Sequence, residues 1–265
     1  MDDRNRGHLT KDGIRIYEPA DFAGMRVAGE LAARILDEIA EHVVPGVTTG
    51  KLDEIITNKV ETAGAKSATI GYKGYQHASC ISVNHVVCHG IPGKKVLKDG
   101  DILNIDVTVI VDGWFGDTSR MYFVGEPKQR AKRLVDVTYE ATKLGIQMVK
   151  PGVTLGDIGA AIQAHAYKNR YSVVYEYCGH GIGQTFHEDP QVLHYGRAGT
   201  GLKLEQGMTF TIEPMINIGK RHSKLLNDEW TVVTKDRSLS AQWEHTIAVT
   251  EDGYDVLTES PNFPL

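Results

Sequence analysis

The strongest constraint on this chain is that it repeats itself. Residues 44–50 read VPGVTTG and residues 150–156 read KPGVTLG, a shared PGVT-x-G whose prolines, Pro45 and Pro151, stand 106 positions apart. Further on, residues 97–106 read LKDGDILNID and residues 204–213 read LEQGMTFTIE. Their common pattern, L-x-x-G-x-x-x-x-I-[D/E], recurs after 107 positions and makes Asp106 and Glu213 equivalent. Pro-Gly turns are common, so one match would mean little. Two matches at nearly one displacement mark a duplication. With only two copies, the chain is not a solenoid, which stacks many.

The flanks agree. Leu31, Ile35, Ile39 and Val43 form one helical stripe before Pro45; Leu134, Val137, Ala141, Leu144 and Met148 form another before Pro151. Each helix is stopped by Pro-Gly. A second helix follows each PGVT, marked by Leu52, Ile55, Ile56, Lys59 and Val60 in one copy and by Ile158, Ala161, Ile162 and His165 in the other. Apolar, β-branched runs come next: CISV, VVCH, ILNIDVTVIV and MYFV, then YSVVYEY, MTFTIEPMINI, WTVVT and HTIAVT. Each half reads helix, helix, strands. The expectation is an α+β fold: one curved, mostly antiparallel sheet, helices on its outer face, and two pseudo-symmetric halves. Residues 1–18 are expected to be an N-terminal extension and 19–260 a single domain, with halves of about 19–125 and 126–257. Residues 261–265 would be a tail.

A chain of 265 residues can remove roughly 70–75% of its unfolded surface from water. Its hydrophobic and charged fractions, 41% and 24%, are those of an ordinary globular protein. The net charge of −5 gives no global attraction to nucleic acid or to an anionic membrane. No run approaches the ~18 apolar residues of a spanning helix, and the first residues show no signal-peptide stretch. Cys80, Cys88 and Cys178 are odd in number and form no CxxC pair, which argues against a disulfide framework or a zinc finger. Free thiols fit a reducing cytosol.

The carboxylates carry the chemistry. Asp112-Gly113 is a hairpin signal inside ILNIDVTVIVDGWFGDTSRMYFV. With those two residues as the turn, 108 pairs with 117, and Asp106 shares the face of 108. Asp106 and Asp117 then become diagonal neighbours, with Cα atoms roughly 7–8 Å apart. Two like charges on a buried face need a shared proton or a metal. Asp106 is flanked by apolar residues on both sides, a poor place for a bland surface acid. Glu213, closing TFTIE, and Glu244, opening EHTIAV, pose the same problem in the second half. Four such acids carry about −4, which two divalent cations would neutralise, giving the two-metal arrangement that activates water.

His180, between glycines in CGHGIG (178–183), completes the set. His89 in VCHGIP and His187 in TFHEDP follow apolar runs in turn-rich segments, as site residues often do. The other eight histidines, at 8, 42, 77, 85, 165, 194, 222 and 245, read as surface or packing residues. One imidazole among four carboxylates suits Mn, Fe or Co better than a structural zinc.

From about residue 19 to 257 the chain resembles the bacterial type I methionine aminopeptidases, which have the pita-bread fold. The resemblance is carried by GYKGYQHASCISVN, VVCHGIP, DGDILNIDVTV, GDTSRM, EYCGHGIG, FHEDPQVLHY, GMTFTIEPM and SLSAQWEHTIAVT. It implies that Asp106, Asp117, His180, Glu213 and Glu244 ligate two divalent ions, with Asp117 and Glu244 bridging. It further implies that Glu213 shuttles a proton and that His89 and His187 act on the scissile amide. The methionine pocket would be Tyr72, Tyr75, Cys80, Phe186 and Trp230, and aromatic edges do favour a thioether. Asn84, Val86 and Ser240 match a monovalent-cation site, Na or K, of some members.

The implied activity is removal of the N-terminal methionine from nascent proteins with a small second residue, through attack of a metal-bridging hydroxide. The implied setting is a cytoplasmic monomer in transient contact with the ribosome, without membrane or nucleic-acid roles. Two departures stand out: Lys73, where bacterial relatives often carry histidine, and Gln184-Thr185, before Phe186. A proline dipeptidase or aminopeptidase P would need a large N-terminal domain, for which the start of the first repeat near residue 20 leaves no room. A non-catalytic relative would have lost metal ligands, whereas all five are present.

Overall fold

The computed structural model describes residues 6–260 and 262. Residues 1–5 of the expected extension, and all of the expected tail except 262, lie outside the described residues. The duplication is visible in matched helix pairs. In the first half these are α1, Pro19–Ile39, and α2, Thr49–Thr62; in the second they are α3, Gln129–Gln147, and α4, Leu155–Lys168. α1 begins with proline at its first turn and a reciprocal cap between Glu18 and Asp21. It ends in a short 3-10 turn, Ala40–His42.

The PGVT-x-G signature has a physical account at each position. Gly46 and Gly152 have φ of 94° and 87°, a left-handed turn that glycine adopts without strain. Thr48 and Thr154 cap α2 and α4, accepting from the amides of Lys51 and Asp157. The turn is pinned from the same side in both halves: Gly46 N donates to Leu97 O (2.9 Å) and Gly152 N to Leu204 O (2.8 Å). The last glycine of the motif sits against backbone. A Cβ would come 3.0 Å from Gly93 O at Gly50, and 2.4 Å from Arg197 O at Gly156.

The expected stripe holds in α1, where Leu31, Ile35, Ile39 and the following Val43 are buried. In α3 it differs. Leu134, Val137 and Ala141 are buried, but Leu144 and Met148 are exposed; Gly145 and Ile146 face the core instead. α4 explains this, because its Ile162 approaches so closely that a Cβ on Gly145 would lie 2.7 Å from the Ile162 side chain. The tight contact chooses the face, and Leu144 turns outward.

The strands pair antiparallel throughout the described residues. Ile102–Val111 and Trp114–Phe123 form a long hairpin about Asp112-Gly113, both with positive φ, 49° and 85°. Thr108 faces Asp117 and Asp106 faces Ser119, the expected register. In the second half Thr209–Ile212 pairs with His245–Val249, and Met215–Asn217 with Ser240–Gln242. The register is the same on both sides of the gap, so this is one ladder interrupted at Glu213-Pro214. Pro214 has no N–H to give, and the ladder opens there. Gly179–Gly181 and Glu188–Val192 add two strands that the apolar pattern had not marked.

The halves are joined beside this opening. Glu244 N donates to Ser119 O (3.2 Å). Thr118 Oγ1 donates to Glu244 O (2.7 Å), and Thr246 Oγ1 to Asp117 O (2.8 Å). Asn104 Nδ2 reaches Gln242 O at 2.9 Å. One apolar core lies mainly under α1, α2 and the hairpin, and another under α3, α4 and the second ladder. The fold is α+β with flanking helices, as the repeat required, and its acidic residues fall where the halves meet.

Candidate metal centre

Each acidic side chain is placed by a local device. Asp106 faces Cys80 in one ladder and Ser119 in the next. Asp117 accepts a hydrogen bond from Thr108 Oγ1 (2.7 Å), its direct cross-strand partner. Glu213 stands in the ladder opening, where its amide donates to His194 Nε2 (3.0 Å) instead of to a strand. Thr211 Oγ1 donates to its Oε1 (2.8 Å) and Gln242 Nε2 to its Oε2 (3.1 Å). Glu244 sits across the same opening, buried.

His180 lies on the strand Gly179–Gly181. Its amide donates to Thr211 Oγ1 (3.0 Å), and its Nδ1 lies 3.0 Å from Gly181 O. That pairing puts the ring proton on Nδ1 and leaves Nε2 facing the acids, 3.5 Å from Asp117 Oδ2 and 3.7 Å from Glu213 Oε1. The glycines on either side are required by crowding. A Cβ on Gly179 would stand 2.3 Å from Thr211 O, and one on Gly181 2.2 Å from Asp189 O.

The electrostatics ask for cations. Burial, and then Asp117 and Glu213, push the Asp106 carboxyl well above the usual range. Glu244 is raised by burial and then by Asp117, Glu213 and Asp106. Burial lifts Glu213 to about 7, against the opposing pull of His180. For His180 burial disfavours the charged ring, but Asp117 and Glu213 outweigh it and raise its pKa. Asp106 Oδ1 is buried without a hydrogen-bond partner, an omission worth roughly 1–3 kcal/mol in a protein interior. Asp117, His180 and Glu244 bring one donor atom each within 4.8 Å of one another, so they can meet around a metal ion. Asp106 and Glu213 flank that trio. Hard carboxylates with one imidazole, an orphaned buried oxygen and unbalanced negative charge fit divalent cations.

The centre forms the floor of a cavity of about 560 Å³. Every expected pocket residue lines it: Tyr72, Tyr75, Cys80, Phe186 and Trp230, together with His89 and His187. Tyr75 packs on Trp230 (4.8 Å between ring centroids) and donates to Ser79 O (2.9 Å). His89 meets Tyr177 and Trp230 edge-on. His187 stands at the exposed mouth, stacked on Tyr72 (5.2 Å) and close to His180 (4.2 Å). Loss of water around the ring lowers the pKa of both His89 and His187, and the neighbouring His180 lowers that of His187 further. Asn84, Val86 and Ser240 lie together outside the cavity lining: Ser240 N donates to Asn84 O (2.9 Å), while Ser240 Oγ is buried without a partner.

Residues 23–251 match the profile of metallopeptidase family M24. The chain belongs to family M24. The methionine aminopeptidase of Rickettsia prowazekii (strain Madrid E) is 56% identical over 249 residues, covering 94% of this chain and 96% of the relative. That of Escherichia coli (strain K12) is 56% identical over 247 residues, 92% of this chain and 94% of the relative. A crystal structure of the Rickettsia prowazekii enzyme superposes with a TM-score of 0.92, covering 93% of this chain and 100% of that one. The likeness to the prolidase of Pyrococcus horikoshii OT3 is one of fold: 21% identity and a TM-score of 0.72, across 63% of that longer chain. Within M24 this chain therefore sits among the methionine aminopeptidases of bacteria.

Several residues that hold the site escaped the sequence reading. His194 was expected to be a surface or packing residue; it is fully buried and holds the Glu213 amide. Thr108, Thr211 and Gln242 were not singled out, although each grips a carboxylate. Asp53 accepts from Ala78 N, Ser79 N and Ser79 Oγ, bracing the turn that precedes Cys80. The one available signal was period-two alternation, which puts Thr108 and Thr211 two residues from Asp106 and Glu213 and so on the same face.

Proposed function

We propose that this chain removes the N-terminal methionine from polypeptides whose second residue is small, with two divalent cations held by Asp106, Asp117, His180, Glu213 and Glu244. The observation that carries this reading is the convergence of the Asp117, His180 and Glu244 donors within 4.8 Å on the floor of an aromatic-walled cavity. The cation count follows from charge, since four carboxylates carrying about −4 balance two divalent ions. When bound, the cations would lower the pKa of water and polarise a peptide carbonyl.

The rest is done by the chain's own side chains. Tyr75, Trp230, Tyr72, Phe186 and Cys80 offer a thioether the polarisable, largely aromatic surroundings it favours. His89 and His187, kept neutral by their surroundings, can each donate one N–H. We assign His187 to the carbonyl oxygen, where negative charge develops, and His89 to the scissile amide. Thr211 and Gln242 fix both oxygens of Glu213, so that it can take the proton of the attacking water and return it to the departing amine. The stacked Tyr72 and His187 narrow the mouth, which suits a small second residue. Ser240 Oγ, orphaned and buried, supports a Na or K site with Asn84 and Val86.

Among the described residues no helix is long and apolar enough to cross a membrane. The reading extends to a cytoplasmic monomer acting on nascent chains near the ribosome. Purified protein loaded anaerobically with Mn, Fe or Co is expected to release methionine from Met-Gly and Met-Ala peptides and to spare an X-Pro dipeptide. Intact Met-Ala peptides under all three metals would overturn the assignment; preferential X-Pro cleavage would move it to a proline dipeptidase.

A further inference from the structure

The segment that carries Phe186 and His187 is held on its far side by residues that precede α1. Residues 8–9 and 15–16 form a small hairpin, and Tyr17 follows it. Tyr17 N donates to Gly207 O (2.8 Å), which ties it to the turn before Thr209–Ile212. Its ring meets Trp114 edge-on at 5.5 Å, so the side chain is wedged between the first-half hairpin and the second half. It is 2% exposed.

The hydroxyl of Tyr17 does two things at once. It accepts from Gln184 N (3.1 Å) and donates to Glu188 Oε1 (3.1 Å). Arg15 Nε adds a longer contact to Glu188 Oε2 (3.6 Å). Tyr17 presses so closely on the loop that a Cβ on Gly183 would lie 2.1 Å from its oxygen. Phe115, beside Trp114, also grips the loop: its amide donates to Gly183 O (2.9 Å) and its ring stacks on Phe186 (5.7 Å). Residues 184 and 188 therefore have a common anchor, and between them lie Phe186 and His187, whose rings are in contact at 4.1 Å. A loop fastened at both ends of a five-residue span has little freedom to carry His187 toward or away from His180.

We propose that Tyr17 is a positioning residue, which fixes the 184–188 segment and thereby the distance of His187 from the metal centre. Its hydroxyl touches no reacting group. It acts by removing motion from a histidine that has to meet a developing charge, where displacements of an ångström cost large factors in rate. Glu188 contributes as the second handle, since it pairs with Gly181, next to His180, in the adjoining ladder. The hydroxyl thus couples the loop to the strand that bears a metal ligand. The inference rests on the role given above to His187.

The test is a double-mutant cycle on the full-length, metal-loaded protein, with hydrogen exchange beside it. Tyr17→Phe keeps the ring on Trp114 and deletes only the hydroxyl. Expected are a ~10-fold fall in kcat on a Met-Ala peptide, KM within about threefold, and faster exchange of the 183–188 amides, Gln184 above all. In the His187→Ala background the same change is expected to cost less than twofold, because the group being positioned is gone. Equal losses in both backgrounds, or unchanged exchange at 183–188, would overturn the positioning role. Should His187→Ala itself leave kcat intact while Tyr17→Phe lowers it equally in both backgrounds, the role of His187 falls, and with it a Tyr17 that acts through His187. The metal-free proteins give the exchange readout independently of turnover, and thermal unfolding of Tyr17→Phe confirms that the fold survives.

Discussion

Replacing His194 by alanine tests whether the centre depends on groups that never touch a metal. His194 is 0% exposed, and its Nε2 is the acceptor for the Glu213 amide at 3.0 Å. That amide has no strand partner to fall back on, because the ladder is open at Glu213-Pro214. An unsatisfied buried N–H costs roughly 1–3 kcal/mol, and the vacated imidazole volume adds about 2–3 kcal/mol. Against this, His194 Nδ1 is itself buried without a partner, so its removal returns about 1 kcal/mol. The expected net loss is ~2–5 kcal/mol in the stability of the metal-free protein. Metal affinity should fall 10–100-fold, the usual effect of deleting a group that orients a ligand. Urea unfolding gives the first quantity and competition with a chelating dye the second. His194→Gln offers a carbonyl oxygen in place of Nε2 and is expected to recover a large part of both losses. If glutamine were no better than alanine in both assays, or if His194→Ala held metal as tightly as the parent, the acceptor argument would be wrong.

Asp106→Asn or Glu213→Gln should abolish turnover and weaken metal uptake in calorimetry, and near-parental activity in either would remove that residue from the ligand set. His187→Ala should lower kcat by ~10²-fold with KM little changed; steady-state kinetics on Met-Ala peptides would refute the oxyanion role if only KM moved. Lys73 has φ of 47° and its Nζ lies 5.2 Å from the Tyr72 ring centroid. It is the one Lys or Arg lining the cavity among the described residues. Peptides with aspartate shortly after the second residue should therefore be favoured about two- to threefold over lysine at low salt. Lys73→Ala or 0.5 M NaCl should erase that preference, and an unchanged preference would count against the lysine.

The hairpin at 102–123 shows how much local chemistry can settle. Asp112-Gly113 permits a turn with two positive φ values, that turn fixes a register, and the register sets Asp106 and Asp117 on one face. α3 shows the limit of the same reasoning. Its periodic apolar residues outnumber the places on its buried face, and the close approach of α4 at Gly145, a contact between segments, decides that Leu144 faces water. The segment 178–192 was harder still. Its strands are short, Gly-His-Gly at 179–181 and the polar Glu-Asp-Pro-Gln-Val at 188–192, so apolar alternation could not mark them. They exist because Gly179 and Gly181 let neighbouring backbone come within reach.

By itself the sequence determined the duplication, the four-helix frame and the hairpin register, which follow from turns, caps and periodicities spanning a few residues or from one motif occurring twice. The five residues of the candidate centre were named from their buried acidic context together with the resemblance to a known family. Tertiary structure decided what surrounds them. His194 and Gln242 grip Glu213 from 19 and 29 positions away, and Tyr17 holds Gln184 from 167. No local pattern announces such partners. A buried amide or carboxylate must be satisfied by whichever group the packed chain brings to it, and that is known only once the two halves have closed around the site.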